Sequence, residues 1–255
     1  MATKTSAVKR ASKLDYASVA FAALPFMGMI SFWQVFDGIV PLMLTNTFNL
    51  DNAATGVVMA LDNIFGLFLL PLFGILSDRC ASKLGRRTPF IMAGSVVAAI
   101  AVPLIAVANN MRSFPLFIAM ILLTLLAICS YRTMTVAVVA DITPRPLRTK
   151  ADSIEKIVGY AGTGVMLVAI TLLVPDVEHP DYLPLFGLQA AFILGSALLY
   201  FWRIREPQLV ERMHEKSLEM GIEEAQIDTD DSPEAGGKQR IQDPSVRLSI
   251  AMILA

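Results

Sequence analysis

Six apolar runs, at residues 19–44, 53–76, 89–108, 114–140, 154–174 and 184–204, constrain this chain more than any single motif. Each reaches the ~20 residues that a helix needs to cross a bilayer. Hydrocarbon offers no water to backbone N–H and C=O groups, so a spanning segment must be a helix or part of a closed barrel. The runs are continuous and lack the ~10-residue alternating segments of a barrel, which selects helices. Composition agrees: at 55% hydrophobic residues and a mean hydropathy of +0.59, too little polar side chain remains to clothe a soluble domain. The expected fold class is an all-α membrane protein with six transmembrane helices. Lys4, Lys9, Arg10 and Lys13 ahead of the first run resemble the start of a signal peptide. That run is long enough to span, and no small-residue cleavage site stands out, so a retained first helix is expected.

Orientation follows from Lys and Arg. They gather in the N-terminal segment, the 78–88 loop, the 141–153 loop and the stretch after Arg203, whereas the opposite loops carry only Arg112 together with Asp51, Asp176, Glu178 and Asp181. Positive charge marks the cytoplasmic side, which places both ends of the bundle there; the expected location is the plasma (cytoplasmic) membrane. Cys80 and Cys129 make no disulfide framework and read as free thiols.

The loop between the second and third runs, Gly74 to Phe90, is a basic hairpin: Gly-Ile-Leu-Ser-Asp-Arg-Cys-Ala-Ser-Lys-Leu-Gly-Arg-Arg-Thr-Pro-Phe. Gly74 permits close helix contact, Asp78 stands where the helix leaves the bilayer, and Pro89 opens the next helix. Gly-x-x-x-Asp-Arg followed by Gly-Arg-Arg resembles the loop between helices 2 and 3 of major facilitator superfamily transporters. The longer spacing from Ser77 to Phe90 is similar to the proton-coupled sugar symporters of the plant sucrose transporter type and their bacterial relatives. The resemblance implies the N-terminal six-helix bundle of a twelve-helix fold. Accordingly, residues 1–18 are expected to be a cytoplasmic segment, 19–204 the bundle, 205–247 a charged cytoplasmic linker and 248–255 the start of a seventh helix. The missing C-terminal half, the bilayer, a sugar and a coupling proton are the expected partners; nucleic acid is not.

An ionisable group at bilayer depth costs about 2.5 to 3.5 kcal/mol on insertion scales and needs a partner, a wet cavity or a task. Asp37, Asp62 and Arg132 are three such groups. Gln34, Asn63 and Tyr131 beside them exchange hydrogen bonds, and Trp33 and Phe36 offer flat apolar faces; sugar hydroxyls need the first kind and sugar rings stack on the second. Because helices 1 and 4 line the central cavity of the superfamily, the resemblance implies that Gln34, Asp37, Tyr131 and Arg132 face substrate. Trp33, Gln34, Asn63, Tyr131 and Arg132 are therefore expected to bind substrate, and Asp62, with Asp37 in reserve, to carry the proton. The alternatives are a structural carboxyl at Asp62, an ion pair of Arg132 with Glu155 or an aspartate, and Trp33 and Phe36 serving only as packing. Arg132 stands nine residues before Asp141, about one helical turn deeper than the helix 4 arginine of the plant symporters.

A second stretch, Asp141-Ile-Thr-Pro-Arg-Pro-Leu-Arg, ends the fourth run. With the hairpin it resembles the charge network that latches the cytoplasmic side of these transporters. Asp78 with Arg79, and Asp141 with Arg86, Arg87 or Arg148, are the expected pairs. Gly159, Gly162 and Gly164 invite close helix packing. His179 and His214 are placed in loops without metal-ligand spacing. No nucleophile, base and orienter set and no phosphate-cradling glycine loop is present, so neither enzyme activity nor a cofactor is expected. The reading is a proton-coupled sugar symporter. An efflux or other solute carrier of the same fold, or a non-transporting membrane scaffold, are its rivals.

Overall fold

A computed structural model describes residues 14–80, 82–175, 177 and 180–219. Lys4, Lys9, Arg10, Lys13, Asp176, Glu178, His179, most of the linker and the expected seventh helix lie outside the described residues. Within them the chain is helical: α1 (Tyr16–Ala22), α2 (Leu24–Asn46), α3 (Asn52–Met59), α4 (Leu61–Asp78), α5 (Thr88–Asn110), α6 (Phe114–Asp141), a 3₁₀ turn (Arg145–Leu147), α7 (Arg148–Leu173), α8 (Leu183–Arg203) and α9 (Glu206–Glu219). Among the described residues six segments are long and apolar enough to cross a membrane, α3 and α4 together forming one of them.

Two expected single helices are each interrupted at one residue, the first at Ala23, two residues before Pro25 in the first turn of α2, and the second at Ala60, between α3 and α4. Asp51 caps the start of α3 by accepting from the Ala54 N–H at 3.0 Å. The break at Ala60 falls beside Asp62, whose Oδ1 accepts from the backbone N–H of Asn63 at 2.6 Å and from its side-chain amide at 2.8 Å. A polar side chain therefore serves backbone at the point where the helix is interrupted.

The helices pack in the order α4, α6, α5, α8, α2, α7 around the bundle, with α7 also touching α6. Phe32, Phe36, Met43, Ile105, Ile121, Tyr131 and Phe186 fill the interior. α4 is the least embedded helix: Ser77 is its only buried residue, and Ile64, Leu67, Phe68, Leu72, Ile75 and Leu76 are exposed.

Two of the three expected packing glycines are in contact. A Cβ on Gly159 would strike the Phe26 ring, and one on Gly162 would lie 3.2 Å from the Met27 carbonyl oxygen, whereas one on Gly164 would meet nothing within 4 Å. The expectation for Gly164 is thus corrected: it faces away from its neighbours. Gly162→Val should lower stability by about 1 to 3 kcal/mol through overpacking against α2, and Gly164→Val by less than about 0.5 kcal/mol. Thermal unfolding of the two variants in detergent measures the difference.

At the end opposite the hairpin, Asn110, the last residue of α5, donates to Asp181 at 2.8 Å, and the Leu183 N–H donates to the same oxygen at 3.0 Å. The Asn110 amide first, then the Leu183 N–H, hold the Asp181 carboxyl below its usual range. His214 lies on α9 and not in a loop.

Candidate functional site

Two polar centres stand at different levels of the bundle. The inner one draws on α2, α4 and α6. The Arg132 guanidinium lies 5.3 Å from the centroid of the Trp33 ring, a cation–π contact joining α6 to α2. Asp37 and Asp62 are within electrostatic reach of one another, and both Asp62 and Arg132 act on Cys129. The three ionisable groups singled out in the sequence therefore share one neighbourhood. Asp37 and Asn63 are exposed, while Trp33, Gln34, Asp62 and Arg132 are half-buried, so this neighbourhood opens on the outside of the six helices.

Three expectations change here. Tyr131 is fully buried, its ring against Gly94 of α5 and its hydroxyl directed toward Ser95 without a hydrogen bond. Its neighbour Arg132 points elsewhere because successive residues of a helix are about 100° apart, so Tyr131 belongs to the packing and not to the open face. Phe36 is likewise buried, in an aromatic cluster with Phe32 and Trp33. The Trp33 face is occupied by Arg132, which makes Trp33 a support for the cation and not a free stacking platform. Among the described residues no carboxylate lies within salt-bridge distance of Arg132. Glu155, one of its possible partners, is buried in α7 with Oε1 unpaired.

The outer centre fastens the hairpin. Arg87 bonds Asp78 at 2.8 Å and Asp141 at 3.0 Å, and its Nη1 donates to the Ser77 hydroxyl at 3.1 Å. One guanidinium thus joins the ends of α4 and α6 to the start of α5. Of the six residues expected in this network, Asp78, Arg87 and Asp141 meet through side chains. The Asp78–Arg79 pairing is corrected: Asp78 pairs with Arg87, and Arg79 is exposed. Arg148 instead donates to the Thr143 carbonyl at 3.2 Å, satisfying backbone in the turn after α6. Arg86 contributes through its backbone, its carbonyl accepting from the Ser77 hydroxyl at 3.3 Å and its N–H donating toward α9.

That N–H leads to a residue the sequence did not reveal. Glu206, only 3% exposed, accepts from the backbone N–H groups of Arg86 at 2.8 Å, Arg87 at 3.1 Å and Thr88 at 2.9 Å, and from the Thr88 hydroxyl at 2.8 Å. The Thr88 hydroxyl also meets the Tyr200 hydroxyl at 2.9 Å. α5 has no capping side chain of its own, so a carboxylate more than a hundred residues away neutralises the positive end of its dipole. Gly85, at φ +113°, turns the hairpin so that these N–H groups converge; a Cβ there would collide with the Glu206 carboxylate. Glu206 reads from sequence as the first acidic residue of a linker. Its signal was a lone acid in Arg-Ile-Arg-Glu-Pro, immediately after a membrane span. Among the described residues no three His, Cys, Asp or Glu side chains come together as a metal site.

Helices long and apolar enough to cross a membrane thus bring ionisable groups to one open face, and an ion-paired hairpin holds their ends. The family model for the Major Facilitator Superfamily matches residues 20–253, and the chain belongs to that family of transporters. Among curated proteins it is similar to "Sucrose transport protein SUC4" of Arabidopsis thaliana, 48% identical over 54 residues, covering 21% of this chain and 11% of that protein. It is also similar to "Sucrose transport protein SUT3" of Oryza sativa subsp. indica, 38% identical over 64 residues, or 25% of this chain and 13% of the relative. "Sucrose transport protein SUT1" of Oryza sativa subsp. japonica is 32% identical over 93 residues, or 35% and 17%. The matched stretches thus cover less than a fifth of each relative. No solved structure matches the chain.

Proposed function

We propose that these six helices are one half of a proton-coupled sugar symporter that works by alternating access, the second half facing the open side of α2 and α4. The observation that carries this reading is the shared neighbourhood of Asp37, Asp62 and Arg132 beside Trp33. Carboxylates exchange protons and accept from sugar hydroxyls, and an arginine propped on an indole donates to them. Gln34 and Asn63 extend the polar surface. Relatives named as sucrose transport proteins support a sugar as the substrate class. Asp78, Arg87, Asp141 and Glu206 hold the helix ends in one arrangement, and loosening them on one side of the membrane alternates access. Residues 205–247 serve as the linker to the second half. Uptake of labelled sucrose by the full-length gene product in vesicles, with and without an inward proton gradient, tests the reading. Uptake that a gradient does not raise contradicts it.

The orientation belongs to the same proposal, with the hairpin cytoplasmic. Cys80 should then resist an impermeant thiol reagent in intact cells, whereas a Cys80→Ser, Asn110→Cys variant should be labelled; Asn110 is exposed at the opposite end. Labelling of Cys80 alone reverses the topology.

A further inference from the structure

The cytoplasmic end of α8 carries a cleft that the transport reading does not use. It encloses about 480 Å³ between the hairpin and the α8–α9 elbow, with Lys83 and Leu84 on one wall and Phe201, Trp202, Arg205 and Gln208 on the other. Its charge is unbalanced. The nearby carboxylates are committed elsewhere, Asp78 and Asp141 to Arg87, Glu206 to the start of α5, and Asp15, which lines a neighbouring cleft with Arg205, to the N–H and hydroxyl of Ser18. Lys83 and Arg205 have no ion-pair partner among the described residues. Two cations in one cleft call for an anion.

The walls say which anion. Trp202 is 81% exposed, Phe201 is exposed beside it, and Leu198 and Leu199, four and three residues before Trp202, continue the same apolar stripe along α8. A stripe of this kind running from a membrane span into a basic cleft suits a molecule with a charged head and apolar tails. An inorganic anion would find nothing to match it. Tryptophan at the end of a span is also the side chain that settles at headgroup depth, and basic pockets beside membrane helices hold acidic headgroups. We propose that the cleft binds the phosphodiester headgroup of an anionic phospholipid, with Lys83 and Arg205 on the phosphate, Trp202 against the glycerol region and the acyl chains along Leu198 and Leu199. The proposal rests on the membrane placement of α8 and not on what the carrier moves.

The chain has two tryptophans, Trp33 and Trp202, so Trp33→Phe leaves Trp202 as the reporter. Reconstituted in phosphatidylcholine vesicles, the 255-residue chain should be quenched by brominated phosphatidylglycerol at a several-fold lower mole fraction than by brominated phosphatidylcholine. Replacing both cations, Lys83→Gln with Arg205→Gln, should merge the two curves, and Lys83→Arg with Arg205→Lys should keep them apart. Native mass spectrometry of the chain with Trp33 intact reads the same contrast as a retained phosphatidylglycerol that the glutamine pair loses. Coincident quenching curves before any cation is replaced, or a preference that survives the glutamine pair, overturn the proposal. Loss of the preference on adding inorganic phosphate would assign the cleft to a soluble anion and overturn it equally.

Discussion

Glu206→Ala should destabilise the bundle by about 3 to 5 kcal/mol, because it strands buried backbone N–H groups at the start of α5 and removes the charge that faces them. The acceptor is nearly inaccessible to water, and Arg86, Arg87 and Thr88 all donate to it. Glu206→Gln should cost less, since an amide oxygen still accepts but carries no full charge. Asp78→Asn should cost no more than about 1 kcal/mol, because an exposed ion pair is screened by solvent; the Asp78 side chain is 59% exposed. Unfolding of the three variants in detergent should rank them Ala, Gln, then Asn. A Glu206→Ala protein as stable as the parent would mean that water or another group replaces the carboxylate.

The different visibility of these two residues shows what the sequence could and could not disclose. Membrane spans are legible because hydrocarbon imposes a length and an apolarity on every one, and each of the six expected runs falls on a candidate span, although α7 begins at Arg148, six residues before its apolar run. Arg87 and Asp141 lay in motifs whose charges had to meet something. Glu206 is different: its partners are backbone amides on a distant hairpin, and backbone leaves no trace in residue type. Tyr131 failed for a related reason. Its neighbour Arg132 marks a polar level of α6, but depth along a helix does not fix the face, and the close approach of Gly94 draws the tyrosine ring inward. The break at Ala60 was also hidden, since neither glycine nor proline marks it. Asp62 looked like a carboxylate with few partners, yet Asn63 holds it with two hydrogen bonds, while Asp37 has none among the described residues.

The second large effect concerns these two aspartates. If one of them carries the coupling proton, its replacement by Asn removes the titrating group and keeps a side chain of the same size that still hydrogen-bonds sugar hydroxyls. Accumulation against a concentration gradient should fall to the equilibrium level, a loss of at least about tenfold where the gradient is worth 1.4 kcal/mol or more. Exchange of internal for external sugar should persist, because exchange needs no net proton movement. Arg132→Gln should act otherwise: if Arg132 holds substrate as proposed, exchanging its charged guanidinium for a neutral amide weakens accumulation and exchange together.

The direct test is therefore a paired measurement on the full-length carrier in proteoliposomes: proton-driven sucrose accumulation and sucrose exchange, for Asp37→Asn and Asp62→Asn side by side. Loss of accumulation with exchange retained, in at least one of the two, is the result expected of a coupling carboxylate in this cluster. Undiminished accumulation against a gradient in both variants would contradict the assignment of proton coupling to these helices.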